Sequence, residues 1–140
     1  MTKNRVNIQS TTPWEPLRGY SRAVLVGGDR LFISGTTSVD DRGEVLFPSQ
    51  PYEQTKFVLD RISRVLKSQG FSLKDVVRTR LYVTNLNRWE DYASAHRELF
   101  DKIRPASSIV QVARLTDPRL MVEIEADAIK GLEEATVFEF

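Results

Sequence analysis

The stretch RLMVEIEADA, from Arg119 to Ala128, constrains this chain more than any other. In it Val122, Ile124, Ala126 and Ala128 alternate with Glu123, Glu125 and Asp127. Successive side chains of a strand point to opposite faces, so one face here is apolar and the other carries carboxylates. Like charges aligned along a strand face repel. The fold must therefore cover the first face and supply partners to the second.

The rest of the chain offers the cover. PYEQTKFVLDRISRVLKSQG reads as a helix, with Val58, Ile62 and Val65 at helical spacing and Leu59 and Leu66 beside them. Ser49 is placed to cap it, Pro51 suits its first turn and Gly70 its end. A second helix is expected from about Arg88 to Ile103, with a stripe of Trp89, Tyr92, His96, Leu99 and Ile103, stopped by Pro105. Strands are expected around Val6 to Ile8, at Ala23 to Val26 and Leu31 to Ser34 (a hairpin through Gly27, Gly28 and Asp29), in DVVRTRLYVT, in SSIVQVARL and in LMVEIEADA. The Pro-interrupted TTPWEPLRGY and the stretch from Thr36 to about Pro48, with DDRG as its turn, read as loops.

The order β-β-β-α-β-α-β-β predicts an α+β fold, one sheet of about six strands with two helices on one face. Val77, Leu81 and Val83 are assigned to the covered face of their strand, and Arg78, Arg80 and Tyr82 to the other. The uncovered face then holds Arg78, Arg80, Glu123, Glu125 and Asp127 beside Tyr82, Met121 and Ile129. That mixture fits an oligomer interface or a cleft floor, and also fits cross-strand ion pairs in solvent.

Composition narrows the function. The chain of 140 residues carries 20 basic and 19 acidic side chains, a net charge of +1, with no basic block that would mark a nucleic-acid surface. It reads as one domain over residues 1–140. It has no cysteine, which removes thiol catalysis and thiolate metal sites and fits a reducing, cytoplasmic setting. No apolar run approaches the ~20 residues of a membrane span. One histidine excludes multi-histidine metal sites, GGDR is a hairpin turn rather than a phosphate loop, and no cofactor is expected. His96 reads either as a core histidine or as a proton donor at the edge of a cleft. Glu123 is the foremost acid or base, with a salt-bridge role as the alternative.

Three stretches, RGYSRAVLVGGDRLFISGTT, VVRTRLYVTNLNRWEDYASAH and RPASSIVQVARL...MVEIEADA, resemble the Rid (YjgF-like) family of reactive-intermediate deaminases. The resemblance runs from about Tyr20 to Ile129. It implies a chorismate-mutase-like fold and a homotrimer joined through the uncovered sheet faces. The active sites would then be clefts between subunits. Members of the family hydrolyse short-lived imines and enamines such as 2-aminoacrylate.

By the same resemblance, Glu123 matches the glutamate that orients the attacking water, Tyr20 the family's tyrosine after Gly-Pro, where this chain has Arg18-Gly19, and Gly35 the glycine after the Phe-x-Ser run of the third strand. His96 joins Glu123 and Tyr20 as a candidate for moving protons. Gly35, Ser107 and Trp89 are candidates for contacting the substrate. The family's carboxylate-gripping arginine falls at Ser107, within Pro105-Ala106-Ser107-Ser108, and its helix asparagine falls at Ala93. A hydroxyl cannot supply the bidentate charge of a guanidinium. The expectation is a Rid-like hydrolase with an altered cleft that is not a 2-aminoacrylate deaminase. The alternative is a trimer that binds a small ligand without turning it over.

Overall fold

The computed structural model describes residues 3–140. Its strands are β1 (Arg5–Ile8), β2 (Ala23–Val26), β3 (Arg30–Thr37), β4 (Val76–Val83), β5 (Ala106–Gln111) and β6 (Val122–Ile129), and its helices are α1 (Trp14–Arg18), α2 (Pro51–Ser68) and α3 (Trp89–Phe100). The strands form a single sheet in the order β1-β2-β3-β6-β4-β5. Only the β4–β5 pair is parallel. The alternating strand β6 thus lies at the centre, hydrogen-bonded to β3 and β4.

The central position follows from its pattern. Val122, Ile124, Ala126 and Ala128 are buried, and Glu123, Glu125 and Asp127 are half-buried on the other face. Against the apolar row pack Val58, Leu59, Ile62 and Leu66 of α2 and Tyr92 and Phe100 of α3. The small Ala126 and Ala128 let the helices approach closely. Each large aliphatic side chain buried here contributes roughly 1.5–3 kcal/mol relative to exposure.

The carboxylates find their partners on β4. Arg80 stands opposite Glu125 in the ladder. Its Nη1 lies 3.9 Å from Glu125 and 3.4 Å from Asp127. The Glu125 carboxylate also raises the Tyr82 phenol above its ordinary pKa. The row of like charges is therefore tolerated because a cation sits between two of its members.

Several local expectations are corrected. Ser49 does not cap α2: it has a left-handed φ of 63°, Gln50 is the cap residue, and no side chain bonds there. Thr55 instead donates to Pro51 O at 2.6 Å. A register shift between Val76 and Arg78 places Val76, rather than Val77, among the buried residues of β4. Around α3, Tyr92, Ala95 and Phe100 are buried and Leu99 and Ile103 pack against the core, while Trp89 is 54% exposed. The first loop contains the short helix α1. The second is tightened by a bridge between Val39 and Val45, with Asp40 Oδ1 accepting from the N–H groups of Arg42 and Glu44.

Gln54 joins the fold to the site. It is fully buried on α2, yet its amide donates to Phe47 O (3.1 Å) and Arg119 O (2.9 Å) and accepts from Met121 N–H (2.8 Å). One side chain thereby ties the loop after β3 to the entrance of β6. No helix among the described residues is long and apolar enough to cross a membrane.

Candidate active site

A bulge shapes the cleft. β3 and β6 lose register between Ile33 and Thr36, around Ser34 and Gly35. Ser34 N–H donates to Arg22 O (3.1 Å) and its hydroxyl to Ser21 O (2.6 Å). Arg22 Nη2 donates to Gly35 O (2.5 Å). Gly35 is thus fixed against Glu123. A Cβ at this position would stand 2.9 Å from Glu123 Cδ. The position needs glycine for close approach rather than for backbone conformation.

Tyr20 reaches the cleft from the turn that ends α1. Glu15, fully buried, accepts from Ser10 N–H (2.6 Å), from the Ser10 hydroxyl (2.8 Å) and from the Thr12 hydroxyl. Burial opposes its ionisation. The hydrogen bonds from Thr12 and Ser10, with the Arg22 charge, outweigh burial and hold its pKa below the usual carboxylate range. The anchored helix ends at Gly19, which is left-handed, and the Tyr20 N–H returns to Glu15 O (3.0 Å).

The cleft of about 270 Å³ that results is lined by Tyr20, Gly35 and Glu123 together with Trp14, Arg18, Arg22, Arg61 and Asp117. The guanidinium of Arg18 lies 5.1 Å from the Tyr20 ring centroid and that of Arg22 6.0 Å from it. Burial pushes the Glu123 carboxyl above its ordinary pKa and Glu125 adds to the rise, while Arg18 and Arg22 act against it. A half-buried carboxyl with a raised pKa is a better base than an exposed one, and the two cations keep its charged form accessible.

The remaining candidates lie apart from that cleft. His96 sits on α3 in a shallow groove with Arg97, Phe100, Asp101, Arg104 and Pro105. Its Nε2 is 2.9 Å from Thr79 Oγ1, which is 2.8 Å from Ser107 Oγ on β5. Burial lowers the His96 pKa. Trp89, at the exposed start of α3, lines neither space. The structure therefore gathers Tyr20, Gly35 and Glu123 in one place, and links His96 to Ser107 in another.

Sequence reasoning gave no role to Arg22, Glu15 or Thr79. Two signals for them are visible. RGYSR places an arginine two positions to each side of Tyr20. Thr79 is the polar interruption in the apolar row of β4, and a buried polar residue must have a partner. Among the described residues no group of three or more acidic or histidine side chains is placed to hold a metal ion.

The sequence pattern described as Endoribonuclease L-PSP matches residues 10–130. The chain belongs to this family. An uncharacterized protein of Streptomyces coelicolor is 35% identical over 133 residues, covering 94% of this chain and 97% of its own. A RutC family protein of Sulfurisphaera tokodaii is 34% identical over 117 residues, covering 84% and 92%. The crystal structure of Rv2704 from Mycobacterium tuberculosis, a member of the YjgF/YER057c/UK114 family, is 41% identical with a TM-score of 0.78, over 90% of this chain and 99% of that one. The YjgF-like family and the chorismate-mutase-like fold expected from the sequence both hold. In this family member, the bulge at Gly35, the turn at Tyr20 and the central Glu123 form a cleft that brings Tyr20 and Glu123 together with Arg18, Arg22 and Arg61.

Proposed function

We propose that this L-PSP family protein hydrolyses small imines or enamines and works as a homotrimer. The observation that carries this reading is the Glu123 carboxyl, half-buried, raised in pKa and set into the space left by Gly35. There it orients and deprotonates the water that adds to a C=N carbon, with Tyr20 beside it to move protons. The cleft volume suits a metabolite of a few carbon atoms, and a net charge of +1 gives no long-range attraction for a nucleic-acid strand.

The separation of the candidate residues supports a cleft between subunits. Glu123 projects from the sheet face away from the helices. Ser107 pairs with Thr79 in the β4–β5 ladder and bonds to it on the helix side. The two therefore face opposite sides of one sheet, and a site that contains both draws the β5 edge from a second copy. Exposed Ile109 and Val110 on β5 and Phe32 on β3 offer apolar surface for that contact. Ser107 and Trp89 then contact the substrate and His96 helps move protons. With Ser107 in place of the arginine, the substrate is one that lacks the usual carboxylate or binds it otherwise. The cysteine-free chain fits a cytoplasmic setting.

Ser107 also favours a second reading, a trimer that holds a small ligand without turnover. Sedimentation should give three times the 16.0 kDa chain mass. Hydrolysis of imines generated in situ by an amino-acid oxidase, compared with Glu123→Gln, separates the readings. Turnover that Glu123→Gln abolishes supports the hydrolase. Binding without turnover supports the ligand-holding trimer, and a stable monomer overturns both.

A further inference from the structure

His96, Thr79 and Ser107 form one chain of hydrogen bonds from a groove beside α3 to the exposed edge of the sheet. The two contacts are 2.9 Å and 2.8 Å. Thr79 is fully buried, Ser107 is exposed on β5, and His96 is half-buried with its ring 4.6 Å from that of Phe100. The Thr79 hydroxyl has one proton and two partners, so it donates to one and accepts from the other.

Burial lowers the His96 pKa and so favours the neutral imidazole, in which one ring nitrogen carries hydrogen. This leaves two arrangements of the whole chain. With hydrogen on Nε2, His96 donates to Thr79, Thr79 donates to Ser107, and the Ser107 proton points outward. With hydrogen on Nδ1, every bond reverses, and Ser107 presents only lone pairs. The three groups switch together, because Thr79 cannot donate twice.

We propose that His96, Thr79 and Ser107 are a proton relay that delivers a proton at Ser107 Oγ to the leaving nitrogen of the substrate. The proposal rests on the hydrolase reading above. Addition of water to a C=N bond gives an amino alcohol at carbon. For its C–N bond to break, nitrogen must take the electron pair and gain a proton to depart as ammonia, while the carbinol oxygen closes to C=O and releases its own proton to solvent. Ser107 O–H gives that proton. Ser107 takes the Thr79 proton, Thr79 takes the one from His96 Nε2, and Nδ1 takes one from water in the groove, leaving a hydroxide that the proton released by the carbinol hydroxyl neutralises. Each relay member ends neutral, and His96 has changed tautomer. The relay needs no co-reactant other than water. A return of the tautomer resets it.

The position of Thr79 argues against simple core packing. It stands between the buried Val76 and Leu81 on β4, where an aliphatic residue would complete the row. The relay ends at Ser107, a neutral donor of reversible polarity on the exposed edge strand β5.

His96 is the single histidine, so long-range ¹H–¹⁵N correlation on the full chain reads its tautomer directly. Ser107→Ala, two hydrogen bonds away, should change the His96 tautomer ratio at least twofold. In Thr79→Val the Ser107 substitution should have no such effect, and Thr79→Ser should restore it. In oxidase-coupled imine hydrolysis, Thr79→Val and Ser107→Ala should each lower kcat at least about tenfold with KM little changed. The double variant should be no slower than either. Identical His96 spectra in the wild type and Ser107→Ala overturn the relay. So does a tautomer coupling with wild-type kcat in Thr79→Val, which leaves a merely structural chain. If Glu123→Gln abolishes turnover and Thr79→Val does not, the hydrolase reading stands and the relay falls. If the wild type has no turnover, both fall.

Discussion

The Glu123 carboxylate occupies the space that a side chain at Gly35 would fill: a Cβ there would stand 2.9 Å from Cδ and 3.1 Å from Oε2. The crowded atoms are the mobile end of one side chain, so the fold can give way where the site cannot. Gly35→Ala should cost only about 0.5–1.5 kcal/mol, the range of an off-rotamer side chain. Turnover should fall about 100-fold, as expected for a displaced reacting group. Thermal melts and steady-state kinetics on one preparation check both, and a variant that loses stability but keeps its activity contradicts this placement.

Glu123 and Glu125 share a face and should differ in role. The folded protein holds the Glu123 proton more tightly than the unfolded chain does. Its contribution to stability therefore declines as pH rises from the ordinary glutamate value through the raised one. Glu123→Gln removes that decline, so at pH 7 its Tm should equal or exceed that of the wild type while turnover drops about 10²–10⁴-fold. Glu125→Ala removes a partner of Arg80 and Tyr82, and should lower Tm or loosen the assembly with ligand affinity kept. Melts across pH 4–8 with sizing of both variants test the contrast, and the reverse pattern exchanges the two roles.

Glu15 should show the opposite pH behaviour. Its folded pKa is lowered, so its contribution is present above the ordinary carboxylate value and is lost as pH falls through the folded one. Glu15→Gln should cost about 1–3 kcal/mol at pH 7, because buried donors lose an ionised acceptor. The wild type should lose stability towards acid more steeply than the variant. Denaturant melts at neutral and acidic pH measure both slopes.

Ser107→Arg should gain affinity for small carboxylates. A charged hydrogen bond is worth roughly 1.5–3 kcal/mol, or about ten- to a hundredfold in Kd. The gain should be partial, since Ala93 supplies no amide, and Ala93→Asn in the same chain should add to it. Calorimetry with a 2-oxo acid against its amide measures the effect, and equal gains for acid and amide contradict a charge-based role.

Much of this architecture was legible in local pattern. The alternation from Val122 to Ala128 needs cover on one side only, and the helical spacing of Val58, Ile62 and Leu66 supplies it, so one sheet with helices on one face follows. On β4 the pattern misled because of a register change. The bulge at Val76–Arg78 moved the covered residue of β4 by one place, and nothing in the alternation marks a bulge. The exposure of Trp89 has another origin, because helical spacing places residues around an axis without fixing which of them face the neighbouring element.

By itself the sequence determined what each strand and helix could bury, because periodicity is a property of consecutive residues. It also carried Tyr20, Gly35 and Glu123 as candidates through family resemblance. Only the tertiary structure decided their company. The Ser34–Gly35 bulge aims Glu123 into a space flanked by Arg18 and Arg22, and Thr79 ties His96 to Ser107 across residues 17 and 28 positions away in the chain. Burial, and with it the rise of Glu123 and the fall of His96, depends on which surfaces meet, and the order of residues along a chain does not state which surfaces will meet.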